Sequence, residues 1–144
     1  MTASREEIEE RIKSDSFSKT LGVEFLEIKP GYARARMKVR SDMLNFHGVA
    51  HGGVIFTLAD SVFAAASNAH GSRAVALSVN VVFRSPVFEG EELIAEANEI
   101  SLGRTTAIYE MTVRKVETGK IVAVFQAVVY RTEDSIMQGI KKKH

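Results

Sequence analysis

Residues 44–63 read L-N-F-H-G-V-A-H-G-G-V-I-F-T-L-A-D-S-V-F and gather two histidines, three glycines and one aspartate. If a helix begins at Gly52-Gly53, its first backbone N–H groups lack intrahelical partners. Glycine lets a ligand approach closely, and the positive end of the helix dipole points at it. Such an end can polarise a carbonyl or hold an oxyanion. The same dipeptide serves equally as a plain hinge. Asp60 sits among Leu58, Ala59, Val62 and Phe63. Desolvation there favours a carboxylate that works as nucleophile or general base over one that merely caps or bridges.

Gly53 and Asp60 are seven residues apart, roughly 10 Å along a helix axis. A base must lie within about 3 Å of the atom it serves, or one water further. Within one chain the two cannot act on one carbonyl. Either they are unrelated, or Asp60 comes from a second subunit.

The other polar residues of the stretch carry weaker signals. His47 and His51 are four apart in a loop with no obvious third ligand, which disfavours a metal site. His51 abuts the helix start, where it can order the loop or touch a carbonyl. The Asn45 amide can orient a water or carbonyl, or cap a turn. No G-x-S-x-G elbow, G-K-[ST] phosphate loop or G-x-G-x-x-G occurs. Arg84-Ser85-Pro86 and Gly103-Arg104-Thr105 each place an arginine where it can meet a phosphate, though surface arginines at such places are ordinary.

The elements that must position these residues follow from pattern. Ser4 and Glu7 form a capping box for a short charged helix carrying Ile8 and Ile12. Gly22 to Lys29 and the alternation Ala33, Ala35, Met37, Val39 make a hairpin about the turn Pro30-Gly31. From Gly52 to about His70 the period changes, and apolar residues fill most of a helical wheel: a buried helix. Four strands follow, at roughly 74–84, 91–100, 105–116 and 120–131, with breaks at Pro86 and Gly90, at 101–103, and at 117–120. The last is apolar on both faces, as a central strand would be. The order helix, two strands, buried helix, four strands predicts an α+β architecture in which a curled antiparallel sheet covers one helix. The far face of that sheet is apolar enough to call for a partner.

The 144 residues suit one domain, with a core over about 21–131, a lead-in over 1–20 and a tail over 132–144. Apolar content is 45%, charged content 26% and formal net charge +1. That balance gives no footprint for nucleic acid, and no apolar run reaches the length of a membrane span. Lys141-Lys142-Lys143 reads as a solvated tail. With no cysteine, disulfides and thiolate chemistry are excluded. The N-terminus lacks a secretory h-region, so a soluble cytoplasmic protein is the expectation.

The element order and the pattern N-x-x-G-x-x-H-G-G-x-x-x-x-L-A-D over 45–60 resemble the hotdog-fold acyl-CoA thioesterases of the phenylacetyl-CoA type, from about Leu21 to Arg131. The resemblance implies a long central helix wrapped by a curved sheet, and subunits paired edge to edge into dimers that associate further into tetramers. It implies shared active sites at the dimer interface, an acyl-CoA substrate and no cofactor, coenzyme A being part of the substrate. By position, Asp60 is then the catalytic carboxylate and the Gly53 N–H of the opposite subunit the donor to the thioester oxygen. Asn45 and His51 line the site, and Ser78 helps place the attacking water. Arg84, Gly103 and Arg104 fall in regions that meet the nucleotide end of coenzyme A.

Two rivals remain open: a hotdog enoyl-CoA hydratase or dehydratase, and a module that binds acyl-CoA without cleaving it. The first lacks its signature around the histidine, and the second has no reason to keep Asp60. Phe46, Phe56, Phe63 and Phe83 are candidates for an aromatic pocket, with apolar core as the more ordinary role. The resemblance leaves phenylacetyl, hydroxylated phenylacetyl and medium-chain acyl groups open.

Overall fold

A computed structural model of the chain describes residues 2–143. The capping box forms: the Ser4 hydroxyl accepts the Glu7 N–H, and the Glu7 carboxylate accepts the Ser4 N–H. It opens helix α1 (Arg5–Lys13), none of whose residues is buried. A second helix, α2 (Ser16–Thr20), follows at once, capped by Asp15. Its five residues are too few to leave a periodic apolar signal, and sequence reasoning passed over it.

Strands β1 (Glu24–Lys29) and β2 (Tyr32–Lys38) form the expected hairpin, turning through Gly31 at a φ of 80°. A bulge between Phe25 and Glu27 breaks the alternation of β1, so Leu26 is exposed while Ile28 is buried. Helix α3 (Gly52–Asn68) then leads into β3 (Ser72–Phe83), β4 (Glu92–Leu102), β5 (Thr106–Lys115) and β6 (Ile121–Ser135). β6 runs four residues beyond its expected end. Its last residues are polar, but their backbone still reaches the start of β3, pairing Ser135 with Ser72.

The six strands form one antiparallel sheet in the order β1-β2-β4-β5-β6-β3. β6 is interior, as its two apolar faces require, but it lies beside the edge strand β3 rather than at the centre. α3 contacts every strand. The reason for this close wrap is small side chains on both partners. Ala59, Ala65 and Ala66 of α3 are fully buried, and so are the cross-strand pairs Ala33–Ala97 and Ala35–Ala95. Leu58, Val62 and Phe63 fill the remaining space, each burial contributing about 1.5–3 kcal/mol.

Beyond the C-terminal end of α3, a polar cluster fastens the helix to the sheet. Glu99 Oε1 lies 2.7 Å from His70 Nε2 and accepts the Tyr109 hydroxyl, also at 2.7 Å. The Tyr109 ring meets Phe63 edge-on at 5.6 Å. At the other side of the molecule, β3 has no neighbour on its outer edge among the described residues, and Leu77, Val82 and Phe83 there are half or more exposed.

Candidate active site

The loop before α3 is shaped by Asn45. Its Oδ1 accepts the N–H groups of His47 (2.9 Å) and Val49 (3.3 Å), and its own N–H donates to Val49 O at 2.8 Å. Gly48 carries the turn at a φ of 81°, a conformation that favours glycine. The amide oxygen is thus committed to the turn, while the amide NH₂ remains as a donor.

His51 is the N-cap of α3 and caps with its ring. The Gly53 N–H donates to His51 Nδ1 at 2.9 Å. An Nδ1 that accepts leaves the ring proton on Nε2. The Gly52 N–H has no acceptor among the described residues. The donor assigned to Gly53 is therefore engaged within its own chain, and the helix start offers Gly52 N–H and His51 Nε2–H beside it. The Phe83 ring lies over Gly52, where an added Cβ would meet Cζ at 3.4 Å. These residues, with Arg84, border a cleft of about 330 Å³.

Asp60 is half-buried, two turns along α3. Among the described residues its carboxylate makes no hydrogen bond or ion pair. Burial raises its pKa above the ordinary aspartate value, and the nearby Asp15 charge raises it further. It opens onto a separate cleft of about 550 Å³, walled by Ile12, Phe17, Phe25, Thr57 and Ala64. Neither Gly53 nor His51 lines that cleft. One chain holds the two halves of the expected site in two places, as the helix spacing requires.

The remaining candidates scatter. Ser78 is exposed and does not line the Asp60 cleft of its own chain. A bulge between Ala76 and Ser78 resets the alternation, and Val79 and Val81 take the core side instead. Arg84 lies at the end of β3, its N–H donating to Val122 O. Gly103 and Arg104 occupy the β4–β5 turn, where Arg131 holds Gly103 O at 2.8 Å. That turn adjoins the start of β3, since Arg131 pairs with Ala74. Phe83 is nine strand positions on from Ala74, so Arg84 and Arg104 of one chain stand about 30 Å apart. Of the four phenylalanines, Phe63 is core, Phe56 packs edge-on against Phe125 at 5.9 Å, Phe83 covers Gly52, and Phe46 is 93% exposed.

Sequence reasoning missed the residues that wall the Asp60 cleft from the N-terminal side: Asp15, Phe17 and Ser18. The Asp15-Ser16-Phe17-Ser18 stretch does carry a cap signal, an aspartate three residues before a group it can accept from.

The sequence pattern of the thioesterase superfamily matches residues 47–122. Acyl-coenzyme A thioesterase PaaI of Escherichia coli is 35% identical over 86% of this chain and 88% of that protein. A solved structure of the E. coli PaaI protein, from the phenylacetic acid degradation operon, matches with a TM-score of 0.85 at 33% identity, covering 88% of this chain and 91% of that one. Human acyl-coenzyme A thioesterase 13 is 31% identical over 83% of this chain and 87% of that protein. The structure of smu.793 from Streptococcus mutans, bound to acetyl CoA, matches with a TM-score of 0.75 at 26% identity over 78% and 90%. No helix among the described residues is long and apolar enough to cross a membrane. With its antiparallel sheet closed around α3 and this match over the loop, the helix and the strands after it, the chain has the hotdog fold and belongs to the thioesterase superfamily.

Proposed function

We propose that the protein hydrolyses acyl-CoA thioesters to the free acid and coenzyme A, with aryl-acetyl groups such as phenylacetyl favoured. The observation that carries this reading is Asp60: an unpaired, half-buried carboxylate of raised basicity facing a cleft with apolar walls. Asp60 takes a proton from the water that attacks the carbonyl carbon, or attacks that carbon itself to form an acyl–Asp60 anhydride that a water then hydrolyses to the free acid. Donors at the α3 start of the opposite subunit, the Gly52 N–H and His51 Nε2–H with the Asn45 amide NH₂, hold the oxygen as it gains charge, the Gly53 N–H being spent on the His51 ring that it orients. The C–S bond breaks, and the departing thiolate accepts a proton from solvent. Phe17 and Phe25, on the wall of the Asp60 cleft, support an aromatic acyl group.

The second subunit enters through β3. A bare edge with exposed apolar side chains is a pairing surface. Antiparallel pairing of two β3 strands carries the partner's β4–β5 turn to the Phe83 end of the first. Arg84 of one chain and Arg104 of the other then flank one substrate, which resolves their separation within a chain. Exposed Val75 and Tyr130, cross-strand partners on the outer face of the sheet, support association of dimers in pairs.

The test is coenzyme A release from phenylacetyl-, benzoyl- and octanoyl-CoA by wild type and Asp60→Asn. Cleavage of one by the wild type, with near-complete loss in a dimeric Asp60→Asn, is expected. Binding without release in both proteins would leave an acyl-CoA-binding module instead.

A further inference from the structure

Asp60 is not the sole carboxylate at its cleft. Asp15, the N-cap of α2, lines the same cavity. Its place is fixed: Oδ2 accepts the Ser18 N–H at 3.1 Å and the Ser18 hydroxyl at 2.5 Å. Ser18 Oγ lies 2.8 Å from the Oγ of Ser61, the residue after Asp60. Both hydroxyls belong to buried residues, Ser18 at 3% and Ser61 at 7% exposure. Buried hydroxyls need partners, so this pair latches α2 onto α3 beside Asp60.

The latch runs on into the backbone of α3. Ser61 Oγ also lies 2.8 Å from Thr57 O, so two hydroxyl protons serve three contacts. Asp15 Oδ2 accepts the Ser18 hydroxyl, and the Ser61 hydroxyl donates to Ser18 or to the Thr57 carbonyl. The charged groups facing Asp60 come from two elements. α1 contributes Arg11, whose Nε donates to Ile136 O at 3.1 Å, and the α2 cap contributes Asp15. Phe25 of β1, Ile136 of the C-terminal segment, and Thr57 and Asn68 of α3 line the cleft without charge. The charge that acts on Asp60 beyond burial is that of Asp15.

We infer that Asp15 is a positioning residue for the reaction: the Ser18–Ser61 latch holds its charge at the cleft, where it sets the pH at which Asp60 becomes the working base. The inference rests on Asp60 being the reacting carboxylate. A like charge across the cleft disfavours the ionised form of Asp60. The α2 segment, which lies outside the stretch that matches the superfamily pattern, thereby tunes chemistry carried on α3.

The pH dependence of kcat/KM for phenylacetyl-CoA hydrolysis tests it, with wild type, Asp15→Asn, Ser18→Val and Glu10→Gln. Asn keeps an N-cap acceptor for α2 but removes the charge. Glu10→Gln removes one negative charge from α1 without touching the cleft. The acid limb is expected to move to lower pH in Asp15→Asn, with its plateau retained, and to stay in place in Glu10→Gln. Ser18→Val breaks the latch and is expected to move the limb the same way while lowering the plateau. In the wild type, added salt is expected to move the limb downward more than in Asp15→Asn, because salt screens the pair. An unmoved limb in Asp15→Asn, an equal shift in Glu10→Gln, or a salt-insensitive wild type would each overturn the inference. Full activity in Asp60→Asn would instead remove the reading beneath it.

Discussion

The ring of His51 accepts the N–H of Gly53 at 2.9 Å, two residues on in the same chain. This one bond ties the two most recognisable residues of the loop into a cap and puts the imidazole proton on the outward nitrogen. An added Cβ on Gly53 would meet His51 Nδ1 at 3.1 Å, so the spacing leaves little room for a larger residue.

Stability and catalysis should separate at His51. His51→Ala removes the cap and is expected to cost about 1 kcal/mol, read from denaturant midpoints. His51→Asn restores an acceptor for Gly53 and most of that stability. If the ring also meets the thioester oxygen, kcat stays low in both variants. Recovery of kcat in His51→Asn would reduce the ring to a cap.

Asp60 should destabilise the fold at neutral pH. Its pKa is raised by burial and then by the Asp15 charge. The folded state therefore holds this proton more tightly than the unfolded state. Its contribution is favourable below the unfolded value and is lost as pH rises through the raised one. Asp60→Asn is expected to be more stable than wild type at pH 7, the gap closing as pH falls below the ordinary aspartate range. Denaturant unfolding at both pH values checks the sign.

Glu99 runs the other way. Burial acts to raise it, but the bonds from Tyr109 and His70, with the Arg131 charge, outweigh that and hold it below the usual carboxylate range. Its stabilisation is present above the unfolded glutamate value and is lost as pH falls through the lower folded one. Glu99→Ala is expected to cost about 1.5–3 kcal/mol at pH 7 and less in acid, with the Tyr109 hydroxyl left buried. A loss independent of pH would mean that the cluster acts by packing alone.

The β3 edge offers a direct handle on assembly. Leu77 is 60% exposed on that strand. Leu77→Lys places a charge on the pairing surface and should give a folded monomer by light scattering, with hydrolysis lost. An active monomer would place the whole site within one chain.

Much of this arrangement was legible in the residues. The Ser4–Glu7 box, the hairpin through Gly31 and the helix from Gly52 all leave short-range or periodic marks, and Asp60 stands out because an acid is costly among Leu58, Val62 and Phe63. What stayed hidden depends on local irregularity or on distance. The bulge at Ala76–Ser78 turns Ser78 away from the core side, and a strand pattern read residue by residue does not register an extra residue. The His51–Gly53 bond is a rotamer, not a spacing. Asp15 and Ser61 are 46 positions apart in the chain, and only the fold brings them to one cleft.

The central claim is that one active site takes Asp60 from one subunit and the α3 start from the other. Co-expression of Asp60→Asn with Gly52→Pro chains tests it most directly. Proline removes the N–H that no described residue of its own chain takes, and it is favoured at the first helical position. Each variant alone should be inactive. Random pairing should restore one intact site in each mixed dimer, about one quarter of wild-type activity overall. No recovery in purified mixed dimers would show that both residues must come from the same chain, and would contradict the account.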